Sequence, residues 1–423
     1  MSSIDCTRLA PLVRGLCVGV SQQSRVVISG SIGKAVSSQV LTVELGSALK
    51  EDRLDEEAAA LVLQEAYAAW EFEMAPSGAE AITQKATVEK YPACIVIHIK
   101  DNPEVVFWID RDLDTVRKRA EQEDISVLEE RIPQNDGLSD PRSNAKSRGE
   151  VVKNKIALVT GGAQGFGEEI ARALAVSGAL VFIADLNLDG AEKLAARINA
   201  AEKRTAALAV AVNVADEASV EGMFRRVVET AGGLDLCISN AGVLKAASLL
   251  EQDLGSFKFV TDVNYTGFFL ISKYAGRLLR LQYRTAPSWK TDIIQINSKS
   301  GLEGSNKNGA YAGGKFGGLG LTESFALELV EYNIKVNAIC PGNFFDGPLW
   351  SDPEKGLFVQ YLRAGKVPGA RTIEDVKTFY ESKVPMKRGC TGPDVMRAIY
   401  YIVEQEYETG QAVPVTGGQV MLH

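Results

Sequence analysis

Ser298, Tyr311 and Lys315 have the residue types and the spacing to move a proton. Residues 310–332 read as a long helix, and the apolar run 293–296 before them as a buried strand. Tyr311 and Lys315 are four apart, so on that helix they share a face and their side chains can meet. A tyrosine hydroxyl titrates near pH 10, at about three units above neutrality, and is a poor base there. A nearby ammonium favours the phenolate and lowers that value. The Ser298 hydroxyl, at the end of the preceding strand, can hydrogen-bond the same substrate oxygen. The chemistry is proton transfer at an alcohol or a carbonyl. A helix also shows Tyr-x-x-x-Lys when a packed aromatic stands beside a solvated lysine, so the surrounding elements must decide.

From Val151 onward strands and helices alternate, the pattern of an α/β fold with a doubly wound parallel sheet of the Rossmann type. A first strand, 155–160, runs into the turn Thr160-Gly161-Gly162-Ala163-Gln164-Gly165-Phe166-Gly167, and a helix follows at 168–177. Glycines there let the backbone approach a pyrophosphate, and the helix N-terminus adds amide donors and positive potential. Gly161, Gln164, Gly165, Phe166 and Gly167 are therefore candidate dinucleotide contacts. The second strand, 180–184, ends at Asp185, eighteen residues after Gly167. A carboxylate in that place accepts from both ribose hydroxyls and repels a 2′-phosphate, which favours NAD over NADP. Alternatively Asp185 caps the next helix, a task that Asn187 can also perform.

Ser298 stands thirteen residues before Tyr311, and the turn has the form Gly-x-x-x-Gly-x-Gly. On these motifs residues 151–423 resemble the short-chain dehydrogenase/reductase family. The resemblance implies that Ser298, Tyr311 and Lys315 are catalytic, with Asn264 the fourth catalytic residue. Lys315 would also bind the nicotinamide ribose, and Asn264 would hold a water linking Lys315 to solvent. It implies cofactor contacts from Asn213 and Val214 near the adenine, from Asn240-Ala241-Gly242, and from Pro341-Gly342 against the nicotinamide. Asn213 replaces the usual Asp, Ser239 the usual first Asn, and Thr416 a frequent Asp. The usual Thr is absent from Asn343-Phe344-Phe345-Asp346. Without the resemblance, Asn264 in a helix spanning 257–281 is either a helix defect or a satisfied polar residue.

Within the family, the segments beginning at Ile296, Ser305, Ala312 and Asn343 look like the sorbitol-6-phosphate 2-dehydrogenase subfamily. That implies reversible, NAD-linked oxidation of D-sorbitol 6-phosphate to D-fructose 6-phosphate. A substrate phosphate needs cations, for which Lys299, Lys383, Lys387 and Arg388 are the candidates. Family members commonly form tetramers on two long helices, here 257–281 and 310–332, so a homo-oligomer, tetramer or dimer, is expected. Two other functions stay open: a dehydrogenase of an unphosphorylated polyol or sugar, and an NAD(H)-binding regulatory protein.

The chain has 423 residues, enough for two domains, and its net charge of −8 argues against general nucleic-acid binding. Six scattered cysteines without a Cys-x-x-Cys suggest neither a metal site nor a disulfide frame. With only His98 and His423, histidine-dependent dehydrogenase chemistry lacks its proton carrier. No run reaches the length of a membrane span and no clean signal core opens the chain, so a cytoplasmic location is expected. Residues 1–132 read as an accessory α+β domain: strands at 25–28, 40–45, 94–99 and 105–109, and helices at 52–74 and 112–123. His98, between Ile97 and Ile99, reads as an ordinary strand residue. Residues 133–150 are polar, broken by Pro and Gly, and read as a linker. Residues 344–389 are too long for a connector and read as a substrate-covering lid or, more plainly, a helical hairpin with a charged face.

Overall fold

The computed structural model describes residues 6–21, 26–30, 40–45, 49–50, 53–74, 94–98, 105–110, 112–122 and 148–421, except 355, 364 and 366. Two compact units emerge. The first comprises Met1–Ile156, Phe224–Asp235 and Gly276–Lys290, and the second Ala157–Met223, Leu236–Ala275 and Thr291–His423.

In the first unit, helix α1 (Cys6–Ser21) precedes strands β1 (Val26–Gly30) and β2 (Val40–Glu44) and the short pair β3 (Leu49–Lys50) and β4 (Arg53–Leu54). Helix α2 (Glu56–Met74), strands β5 (Cys94–His98) and β6 (Val105–Asp110), and helix α3 (Leu113–Gln122) follow. The strands form a mixed sheet in the order β1-β6-β5-β2, antiparallel except where β2 pairs β5. Helix α2 starts at Glu56, later than position 52, because Asp55 caps it, accepting from the N–H groups of Glu57 and Ala58. Leu9, Leu12, Val13, Leu63, Ile95, Ile97, Phe107 and Ile109 are buried together with Trp108. Residues 133–147 of the expected linker lie outside the described residues, and Arg148–Val152 is a 3₁₀ turn.

The second unit is built on seven parallel strands in the order β13-β12-β11-β10-β7-β8-β9. They are β7 (Ile156–Thr160), β8 (Leu180–Asp185), β9 (Ala207–Ala211), β10 (Leu236–Ser239), β11 (Thr291–Ile296), β12 (Ile334–Pro341) and β13 (Ala412–Val415). Every residue of β7, β10, β11 and β12 is buried, as expected of central strands covered on both faces. The connecting helices are α4 (Gly165–Val176), α5 (Leu188–Glu202), α6 (Glu217–Ala231), α7 (Leu254–Thr261), α8 (Gly267–Tyr283) and α9 (Gly309–Leu329); α6 from Phe224 and α8 from Gly276 onward count with the first unit. The chain leaves β7 toward β8 and β9, then returns to β10 on the other side of β7. That reversal opens a crevice at the carboxyl ends of β7 and β10, where ligands bind in such sheets.

β13 closes one edge. The carbonyls of Gln411, just before the strand, and of Val415 accept from Ala338 and Gly342, so the backbone groups of Ala412 and Pro414 point outward.

Residues 344–389 fold into α10 (Pro348–Ser351), α11 (Leu357–Arg363) and α12 (Ile373–Ser382). They have a core of their own: Phe345, Phe358, Val367, Val376 and Val384, with Trp350, Tyr361 and Tyr380 packed around it. Trp350 meets Phe345 edge-on at 4.9 Å and Tyr380 at 5.2 Å. Helix α13 (Gly392–Glu404) follows.

Candidate active site

The end of β11 carries the first group. Asn297 donates its backbone N–H to the Ile339 carbonyl at 2.7 Å, keeping the chain stitched to β12 beyond the strand. Its buried side chain donates to Gln295 Oε1 (2.8 Å) and to the Lys315 carbonyl (2.9 Å), and accepts from the Ser298 N–H (2.8 Å). One amide thus ties the strand end to helix α9. Ser298 Oγ accepts from the Ser300 N–H at 3.1 Å, capping the 3₁₀ turn Lys299–Gly301. The Ser298 side chain also hydrogen-bonds the hydroxyl of Tyr311, which lies in the first turn of α9. Lys315, one turn later and only 4 % exposed, donates from Nζ to the Ile296 carbonyl at 2.9 Å. Its Nζ stands 5.6 Å from the centre of the Tyr311 ring. Ser298, Tyr311 and Lys315 are therefore brought together.

Their electrostatics differ from the expectation in one respect. Burial pushes the Tyr311 hydroxyl above its ordinary value, while the Ser298 hydrogen bond acts the other way. Burial also holds the Lys315 ammonium down, to about 8, against the pull of the Cys340 thiol. The lysine does not lower Tyr311 on balance because its ammonium is itself desolvated and is directed at the Ile296 carbonyl.

Asn264 sits in a π turn, Asp262–Thr266, between α7 and α8, so the helix expected over 257–281 is interrupted at that residue. Its amide accepts from the Val243 N–H and donates to the Val243 carbonyl, both at 2.8 Å. Both earlier alternatives hold at once: the helix is locally widened and the buried polar group is satisfied. A π turn inside a helix is a frequent mark of a functional position.

At the crevice, Gly161 and Gly165 both adopt φ of 61°, which favours glycine. A Cβ on Gly167 would overlap the Gly161 carbonyl and stand 2.7 Å from Asn240 Nδ2. Asn240 pins the turn, donating from Nδ2 to the carbonyls of Thr160 (2.9 Å) and Gly161 (3.0 Å). Thr160 Oγ1 accepts from the N–H groups of Asn240 and Ala241 at 3.0 and 3.1 Å. Gln164 precedes α4 in an extended conformation and makes no side-chain cap, so the helix N-terminus is open to an anion. Asp185 accepts from the N–H groups of Ala163 and Asn187, each at 2.9 Å, and Asn187 is the residue that caps α5. The carboxylate is thereby fixed beside the glycine turn. Asn213 Oδ1 accepts from the Ala215 N–H at 3.1 Å, and Val214 packs where Gly267 leaves room. Gly242 lies between Asn264 and Lys315, and Gly342, after Pro341, donates its N–H to the Val415 carbonyl at 2.9 Å. This set of backbone donors, glycines and one carboxylate fits a dinucleotide.

The four candidate phosphate ligands already have partners. Lys299 pairs with Glu303 at 3.4 Å, and Arg388 with Asp394 at 2.5 and 3.0 Å, holding that carboxyl at about 2. Lys387 donates to the Ser382 carbonyl at 2.7 Å, and Lys383 stands 4.1 Å over the Phe379 ring. These contacts do not gather them into one cluster. Two neighbours of the site are new. Asn297 could have been suspected as a polar residue where a buried strand ends. The stacking of Phe166, already a candidate cofactor contact, on Phe344, with ring centres 4.4 Å apart and planes 14° apart, had no sequence signal as a pair.

Residues 155–350 match the short chain dehydrogenase family. The chain is 37 % identical over 271 residues to sorbitol-6-phosphate 2-dehydrogenase of Escherichia coli K12, covering 63 % of this chain and 99 % of that protein. It is 30 % identical over 272 residues to galactitol 2-dehydrogenase of Agrobacterium fabrum, covering 64 % and 99 %. Among solved structures, sorbitol-6-phosphate 2-dehydrogenase SrlD from Erwinia amylovora aligns with a TM-score of 0.58 at 40 % identity, covering 63 % of this chain and all of that one.

Proposed function

This chain belongs to the short-chain dehydrogenase/reductase family, and we propose that it is an NAD-dependent dehydrogenase interconverting D-sorbitol 6-phosphate and D-fructose 6-phosphate. The observation that carries this reading is the convergence of Ser298, Tyr311 and Lys315 beside a glycine-lined crevice.

In the proposed reaction Tyr311, whose phenolate is favoured by the Ser298 hydrogen bond against the cost of burial, takes the proton of the substrate C2 hydroxyl. Ser298 donates a hydrogen bond to that oxygen as it becomes a carbonyl. Lys315, fixed by the Ile296 carbonyl, holds positive charge beside the tyrosine ring and would bind the nicotinamide ribose. Asn264 keeps the Val243 segment in place and, as the family resemblance implies, would hold a water leading from Lys315 to solvent. A bound nicotinamide would supply the acceptor for the hydride that leaves C2. Gly161, Gln164, Gly165, Phe166, Gly167, Asn213, Val214, Asn240, Ala241, Gly242, Pro341 and Gly342 are proposed to hold it, with Asp185 selecting NAD.

For the phosphate, Lys383 and Lys387 are the better candidates, because their contacts are rings and a carbonyl. Lys299 and Arg388 would have to leave a carboxylate. Phe257, Phe269, Phe316 and Leu327 are exposed on the two long helical segments, which supports a homo-oligomer formed there. No helix among the described residues is long and apolar enough to cross a membrane.

The deciding assay is NADH formation from sorbitol 6-phosphate, against free sorbitol and mannitol 6-phosphate, with NAD and NADP in parallel. Turnover of free sorbitol alone would replace the phosphorylated substrate by an unphosphorylated polyol. The 30 % identity to galactitol 2-dehydrogenase makes that the second reading. An absence of turnover with every polyol would sink both.

A further inference from the structure

The relatives aligned above cover less than two thirds of this chain, and residues 1–150 lie outside the family match. The structure nevertheless places part of the N-terminal region deep among residues of the dehydrogenase segment. Arg14 of α1 is wholly buried, and its guanidinium donates to Asp235 Oδ2 at 2.7 Å; both side chains have no solvent exposure. The same carboxylate oxygen accepts from the Ile156 N–H at 2.8 Å, while Oδ1 accepts from Trp289 Nε1 at 3.0 Å. Gln282 reads the backbone next to it, accepting from the Leu234 N–H at 2.8 Å and donating to the Leu234 carbonyl at 2.7 Å. Thr285 donates to the Leu12 carbonyl of α1 at 2.7 Å. A Cβ on Gly15 would overlap both Thr285 Oγ1 and the Gln282 carbonyl, so α1 approaches this surface as closely as a helix can. At the margin, Arg284 pairs with Glu56 and Glu57 of α2 at 3.6 and 3.4 Å.

We propose that α1 is the built-in occupant of the surface formed by Phe224–Asp235 and Gly276–Lys290, and that α1 with α2 completes the dehydrogenase instead of belonging to an appended module. Asp235 joins the starts of the two strands whose far ends form the dinucleotide crevice. It precedes β10 directly and bonds the first residue of β7, while Asn240 and Thr160 join the same strands at the other end. A charge buried without its partner is strongly destabilising, so loss of Arg14 would act first on the seam between β7 and β10. The N-terminal region thus supports cofactor binding from the opposite end of the strands.

The test uses full-length protein carrying Arg14→Met, Gly15→Val, Thr285→Val, or Arg14→Met with Asp235→Asn. Three quantities are read: the melting temperature, hydrogen exchange of peptides spanning 224–240 and 276–290, and the NADH dissociation constant. Arg14→Met should lower the melting temperature by more than about 5 °C. It should also speed exchange in both peptides and weaken NADH binding at least about threefold, while the double variant recovers part of each loss because no charge is left unpaired. Thr285→Val, nearly the same in volume, should give a smaller shift in the same direction. The proposal is overturned if Arg14→Met and Gly15→Val deprotect only residues within 1–122 and leave both peptides and NADH binding unchanged. Exchange and NADH binding need no polyol, so this outcome is separate from failure of the substrate assignment.

Discussion

Replacing Asp185 by asparagine separates charge from shape at the proposed selectivity residue. The carboxylate is tied at 2.9 Å to both the Ala163 and Asn187 N–H groups, so it cannot swing aside to admit a 2′-phosphate. Two phosphate charges about 5 Å from it, at an effective dielectric between about 40 and 80 for a partly exposed site, are repelled by roughly 2–3 kcal/mol. Removing the charge should therefore tighten NADPH binding about 30- to 150-fold. NADH binding should weaken several-fold, since a charge-assisted bond to the ribose becomes neutral and is worth about 1 kcal/mol less. Equilibrium titration of NADH and NADPH by fluorescence measures both, and repeating it at high salt should shrink the NADPH gain through screening. The reasoning is refuted if the unmodified protein binds both cofactors equally, or if Asp185→Asn moves their ratio by less than about fivefold.

Tyr311→Phe should reduce turnover by about 10²- to 10⁴-fold while NADH binding persists; loss of both would indicate a folding defect. Asn264→Ala strands the Val243 N–H and carbonyl, and should lower stability by about 1–3 kcal/mol in denaturant titrations as well as slowing turnover. Lys315→Met tests the depressed amine. With Lys315 near 8 in the fold against 10.5 in a free lysine, the unfolded chain binds more protons between those values. The unmodified protein should therefore gain about 1 kcal/mol relative to the variant between pH 7 and 9. A stability difference that stays flat across that interval would contradict the burial argument.

The parts of the site that were legible in sequence are local. Apolar runs at β7, β10 and β11 mark buried strands because side chains there meet no water on either face. Tyr311 and Lys315 meet because helical periodicity puts them together, and Ser298 follows a strand whose end is marked by polarity. Where the sequence was silent, the cause is distance or local backbone choice. Arg14 and Asp235 are separated by 221 positions, and neither residue type signals the other. The π turn at Asn264 depends on the fit of α7 and α8 against the Val243 segment, which helix propensity does not encode. The expected lowering of Tyr311 failed because spacing conveys proximity and says nothing of desolvation.

The β13 edge has a consequence for colloidal behaviour. A bare sheet edge offers a row of donors and acceptors on which another strand can grow. Here only Ala412 and Pro414 face outward, and Pro414 has no N–H to give. A short strand with half its outward donors deleted is a poor template for strand addition. Pro414→Val restores a donor and a β-branched side chain at that edge, and would be expected to turn a quiet rim into a nucleus for aggregation on heating.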